Sequence, residues 1–129
     1  MKITALIARF LLGFIFLVFG LNGFFHFLQM PPLAGMAAQF MGALFLSHYL
    51  VVVFALQLIG AVFLLINRYV PFALIILAPV ICNILLFHFL MAPGGLLLAV
   101  VVTVLWIIAF LSVRSAFTGL WQPRVETPS

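Results

Sequence analysis

Acidic residues are all but missing from this sequence. Among 129 residues there is one, Glu126, close to the C-terminus. No carboxylate side chain occurs between Met1 and Val125, which excludes carboxylate dyads, aspartate-based proton relays and calcium sites. Cysteine is as scarce. A single Cys82 rules out an internal disulfide, a C-x-x-C redox pair and a thiolate zinc cage. Charged residues make up 5% of the chain, against about 25% in soluble domains. With 69% hydrophobic residues, the chain lacks the polar surface that a soluble domain needs, and disordered and collagen-like chains are excluded too. The five basic residues (Lys2, Arg9, Arg68, Arg114, Arg124) are too scattered for a nucleic-acid footprint. They read as orientation marks on a membrane protein.

A spanning helix needs about 20 predominantly apolar residues. The first candidate runs from about Ile3 to Leu28 and ends at Pro31 and Pro32. Arg9 interrupts its apolar run and no small-residue cleavage pattern follows, so it is expected to be a retained helix rather than a signal peptide. Further spans are expected over His48–Ile66, Pro71–Met91 and Leu96–Ala116. Pro71 suits a first helical turn. Between the first two spans, Leu33, Met36, Ala37, Phe40, Met41 and Leu44 form one stripe of a further helix. Joined straight to the second span it would run to roughly 50 Å. A break is therefore expected near Ser47 and His48, with this helix interfacial or re-entrant.

The fold class that results is all-α: a four-transmembrane-helix bundle with an additional interfacial or re-entrant helix between spans one and two. Residues 1–118 form one domain and 119–129 a short tail. With four crossings, the N-terminus, the 67–70 loop and the C-terminus share a side, and those segments carry all five basic residues. The positive-inside pattern predicts a multi-pass protein of the cell (inner) membrane with both termini cytoplasmic. Arg9 and Arg114, a turn or two inside their helices, are expected to snorkel to the headgroups.

Polar side chains inside a bilayer are the default functional candidates. Asn22, His26 and Gln29 follow at i, i+4 and i+7 and would share one helical face. Asn83 and His88 lie in the third span, and Gln57 near the middle of the second. At about 1.5 Å per residue, Asn22 and Asn83 come out at similar depth, as do His26 and His88. Asn22, His26, Gln57, Asn83 and His88 are thus the candidate ligand contacts. Interhelical hydrogen bonding is the plain structural alternative for each of them. Asn83 and His88 are about 140° apart around their helix and do not face one neighbour unless Pro79 distorts it. His48 reads as interfacial and Cys82 as a small buried hydrophobe. A haem ligated by His26 and His88 would have no cationic partners for its propionates in the outer half. A quinone or another neutral aromatic ligand fits better, since it needs few hydrogen-bond donors and apolar walls.

Several stretches carry a family resemblance. "RFLLGFIFLVFGLNGFF" at Arg9–Phe25, "GALFLSHYL" at Gly42–Leu50, "NRYVP" at Asn67–Pro71 and "APVICNILLFHFLMAP" at Ala78–Pro93 are similar to the DoxX-like family of small four-helix membrane proteins. The resemblance spans roughly residues 5 to 118. It implies a four-helix membrane fold and a link to redox complexes: the family takes its name from a subunit of a thiosulfate:quinone oxidoreductase, and some bacterial members are linked to oxidative or thiol stress. Where members commonly carry a glutamate in the second helix, in a pattern like E-x-x-G-G, this sequence has Gln57 followed by Gly60 and Ala61. A carboxamide forms hydrogen bonds but has no proton to take up and release as a carboxylate does.

Three functions follow. The first is a redox-linked membrane subunit that binds a quinone-like ligand or docks a membrane or redox partner. With no nucleophile–base pair, metal cluster or phosphate loop, its electron carriers would sit on that partner. The second is a non-catalytic scaffold or assembly factor, for which small residues at Gly20 and Gly23, and at Ala38 and Gly42, would permit close helix contact. The third is a small exporter, against which the absence of a first-helix glutamate counts.

Overall fold

The computed structural model describes residues 2–30 and 32–128, and every regular element among them is helical. The α-helices are α1 (Lys2–Phe25), α2 (Gly35–Leu46), α3 (Tyr49–Ile66), α4 (Val70–Leu90) and α5 (Leu96–Ser112). Short 3-10 segments follow α4 at Pro93–Gly95 and α5 at Arg114–Trp121. Apart from α2, each helix, with Pro93–Gly95 counted into the last, is long and apolar enough to cross a membrane. Between 17% and 33% of each span is buried inside the protein. The remaining apolar surface faces outward, and only lipid can cover so much of it. The chain is an integral membrane protein.

The four long helices stand in a ring. α1 packs on α3 and α5, and α4 packs on the same two, so α1 and α4 occupy opposite corners. Leu12 and Phe16 from α1, Ala61 and Leu64 from α3, Leu74 and Leu77 from α4, and Val102 and Ala109 from α5 close the centre. In lipid, burial does not separate apolar side chains from water, so the helices are held by close packing and interhelical hydrogen bonds. The α1–α3 contact is the most extensive. A Cβ placed at Gly20 would lie 2.9 Å from Leu58 Cδ2, and one at Gly23 would lie 2.3 Å from the Phe54 ring. The close contact expected at Gly20 and Gly23 is therefore present. Gly42, by contrast, has nothing within 4 Å of its Cβ position.

The breaks before α2, α3 and α4 contain left-handed residues, whereas the one between α4 and α5 has none. Ser47 closes α2, donating its N–H to Ala43 (3.1 Å), and His48 (φ 62°) turns the chain into α3. The break expected at Ser47 and His48 is where it was placed. α3 ends at left-handed Asn67 (φ 57°), across which the Arg68 N–H reaches the Phe63 carbonyl at 3.1 Å. That is the closure of a Schellman-type end. Tyr69 (φ 55°) then sets up α4. α2 begins at Gly35 rather than Leu33 and lies at the uncharged end of the bundle. There Phe40 meets the Phe87 ring at 5.8 Å, and Phe45 meets the His26 ring at 6.5 Å.

Two further boundaries move. α1 stops at Phe25 because His26 turns left-handed (φ 53°) and the Asn22 carboxamide oxygen accepts the Leu28 N–H at 2.7 Å. Asn22, His26 and Gln29 therefore do not share one helical face. The expected stop at Pro31 lies outside the described residues. α5 ends at Ser112, four residues short of Ala116, and continues as a 3-10 segment anchored by buried Phe117 against Phe110 (4.9 Å between centroids). Arg114 accordingly sits beyond the helix rather than inside it.

Candidate functional site

The polar groups picked out along the chain each have a distinct local setting. Asn22 is half-buried near the end of α1, and its side-chain oxygen holds Leu28 while its carbonyl accepts the His26 N–H at 2.8 Å. It organises the irregular 26–30 segment. His26 is exposed, edge-on to Phe45. Gln29 is exposed in irregular chain. His48 is exposed at the α2–α3 corner.

On α4, at the opposite corner, Asn83 is exposed and donates one N–H to the Pro79 carbonyl at 3.0 Å. At about 1.5 Å per residue it lies roughly 20 Å from the start of α4, well within the span. Cys82 beside it is exposed rather than buried, contrary to expectation, because it falls on the lipid-facing side of a helix whose core stripe is Leu74, Leu77 and Ile81. His88 is half-buried, and its Nδ1 is 3.0 Å from the Ala92 carbonyl. A carbonyl only accepts, so Nδ1 carries the proton in this contact.

Gln57 on α3 is the one buried polar residue among those described, at 6% exposed. It lies against Gly20 of α1, whose Cβ position is 3.6 Å from its own Cβ. Its carboxamide forms no hydrogen bond among the described residues. It also keeps some access, because every fully occluded side-chain polar atom among them has a partner. Apart from the backbone bond from His26 to Asn22, no hydrogen bond or ring contact joins any two of Asn22, His26, Gln57, Asn83 and His88 among the described residues. Asn22 and His26 stand on one corner of the ring, Asn83 and His88 on the opposite one, and Gln57 on the helix between.

Three further groups carry structural or chemical weight. Trp106 of α5 donates its indole N–H to the Leu74 carbonyl of α4 at 2.9 Å; an indole N–H in an apolar helix demands such a partner, which was the available signal. Gly95 lies directly under the His88 imidazole. Arg9, expected to snorkel, instead donates a guanidinium N–H to the Leu64 carbonyl of α3. That carbonyl is in the last turn of α3, where the helix supplies no partner of its own. The Arg9 guanidinium also covers the Phe10 ring at 4.6 Å.

Arg9 is also part of a cleft of about 620 Å³ at the charged end of the bundle, lined by α1, the α3–α4 turn and the end of α5, with Lys2 and Arg114 on its walls. Among the described residues no cluster of three or more His, Cys, Asp or Glu side chains is placed to hold a metal ion. Comparison with family models, curated proteins and solved structures finds no match to this chain.

Proposed function

We propose that this integral membrane protein is a DoxX-like subunit of a redox-linked membrane assembly. In this reading it docks a partner subunit along α4, with both termini on the cytoplasmic side of the cell (inner) membrane. The observation that carries the proposal is the exposed carboxamide of Asn83, well inside the span. One of its N–H groups is held by Pro79. Its oxygen and second N–H have no partner among the described residues, and a polar group left toward hydrocarbon is costly. A partner helix bringing a donor and an acceptor to this point satisfies it. In this reading the metal redox centres sit on that partner, since among the described residues no cluster of His, Cys, Asp or Glu is placed to hold a metal. The orientation rests on the gathering of the basic residues at one end.

A photo-activated crosslinker attached to Cys82, next to Asn83, tests the docking in native membranes. A single crosslinked membrane protein that copurifies with the chain, and whose yield falls at least severalfold with Asn83→Leu, is the expected result. Crosslinks to lipid alone would overturn it.

One observation favours a second reading, an enclosed quinone-like ligand. Gln57 is buried, incompletely sealed and without a hydrogen bond among the described residues, and its N–H groups suit a quinone carbonyl. Quinone extracted with the purified wild type and lost with Gln57→Leu would support it. Equal quinone content in the two would leave the docking reading alone.

A further inference from the structure

Three of the five basic side chains of the sequence meet in the cleft at the charged end. Lys2, Arg9 and Arg114 line it together with Asn67 and Ser115. The only acidic side chain of the whole sequence, Glu126, lies beyond the last helical segment in the exposed tail. No carboxylate from residues 1–125 therefore neutralises the cleft. We propose that it binds the phosphate headgroup of an anionic phospholipid, whose acyl chains run along the lipid-facing sides of α1 and α5.

The donors are suited to a phosphate. Arg9 is half-buried and fixed from two sides, by the Leu64 carbonyl and by the Phe10 ring. A guanidinium has five N–H groups, so those not given to Leu64 remain for an anion. A held guanidinium loses less freedom on binding than a mobile one. Lys2 and Arg114 are exposed and close over the anion from the two chain ends that flank the cleft. Asn67 and Ser115 add neutral donors, whereas the Ser112 hydroxyl on the same wall is donated to the Ala109 carbonyl at 2.6 Å.

The rim distinguishes a lipid from a free anion. Leu6 (46% exposed) and Leu111 (44% exposed) line the same cleft from the lipid-facing sides of α1 and α5. An amphiphile satisfies both surfaces, with phosphate on the cations and hydrocarbon on the two leucines. Basic pockets between spanning helices at the cytoplasmic face are the kind of place where such headgroups bind. The cleft meets only the first residue of α4, Val70, and lies at the opposite end of that helix from His88.

The test is native mass spectrometry of the full-length protein in neutral detergent, titrated with phosphatidylglycerol or phosphatidylcholine. Phosphatidylglycerol is expected to bind at least tenfold more tightly. Lys2→Gln and Arg114→Gln should each weaken it about fivefold, and the two together about 25-fold, at about one basic-residue contribution apiece. Both side chains are exposed, so the variants keep their helical circular dichroism, and Arg114→Lys retains binding within about twofold, since a lysine still presents a point charge. Equal binding of the two lipids, or unchanged affinity in the double variant, would overturn the proposal. So would complete displacement of the lipid by millimolar inorganic phosphate, which would mark a small-anion site instead.

Discussion

Replacing Gly95 with alanine isolates the His88 contact more cleanly than mutation of the histidine itself. Gly95 has φ −97° and ψ 6°, a conformation open to any L-residue, so the substitution carries no backbone strain. The entire effect must come from the added methyl. Built on this backbone it lies 2.2 Å from His88 Cε1 and 2.4 Å from Nδ1, far inside contact distance. The imidazole has to rotate away, and its hydrogen bond to the Ala92 carbonyl goes with it. Loss of that bond costs about 0.5–1.5 kcal/mol, and a displaced rotamer about 0.5–1.5 kcal/mol more. Gly95→Ala should therefore destabilise the bundle by about 1–3 kcal/mol. In a His88→Ala background the methyl meets empty space, and its cost should fall to a few tenths of a kcal/mol, the ordinary difference between glycine and alanine near a helix start. The double-mutant cycle thus has a coupling of about 1–2.5 kcal/mol. Reversible denaturant unfolding in mixed micelles, followed by far-ultraviolet circular dichroism, measures all four corners. An equal cost of Gly95→Ala in both backgrounds would refute the packing of Gly95 against the His88 ring.

Other substitutions test the remaining contacts by the same unfolding measurement. Arg9→Met leaves the Leu64 carbonyl of α3 without its donor and should cost about 1–3 kcal/mol, with Arg9→Lys recovering part of the loss. Trp106→Phe keeps the ring stacked 5.2 Å from Phe110 but removes the N–H given to Leu74, for about 0.6–1.5 kcal/mol. Gln57→Leu should be neutral or stabilising by up to about 2 kcal/mol, because its carboxamide has no hydrogen bond to lose; a clear loss of stability would mean that Gln57 has a partner. Gly20→Leu should separate α1 from α3, since Leu58 already occupies the space, and a melting temperature equal to wild type would contradict that packing.

The four spans, the extra helix and the corner at Ser47 and His48 were legible because they depend on length and apolar content, which a bilayer reads directly. Helix ends were less so. His26 and Tyr69 adopt left-handed conformations without glycine, and nothing in their residue type announces it. With α1 ending at Phe25, the periodicity that put Asn22, His26 and Gln29 on one face had no helix to act on. The depths assigned to Asn83 and His88 used only a rise per residue, whereas their surroundings depend on which side of α4 meets α3 and α5. Side-chain identity and spacing carry no information about that choice in a helix that is apolar all round. The cleft at the charged end illustrates the same limit in reverse. The basic residues were readable as orientation marks, but Lys2, Arg9 and Arg114 are 112 positions apart in sequence at their extremes, and only the ring of helices brings them together. Arg9 also took on a second task, because the last turn of α3 needed a donor.

The most direct test of the whole account is the sidedness of two turns. In a Cys82→Ser background, single cysteines replace exposed Arg68, in the basic turn before α4, and Gly94, in the turn after it, where a side chain meets nothing within 4 Å. Intact cells are treated with a membrane-impermeant maleimide, before and after permeabilisation. Labelling is expected at position 94 in intact cells and at position 68 only after permeabilisation. Labelling of both positions from the same side would mean that α4 does not cross the membrane, and would contradict the four-span bundle and the cytoplasmic placing of its basic end.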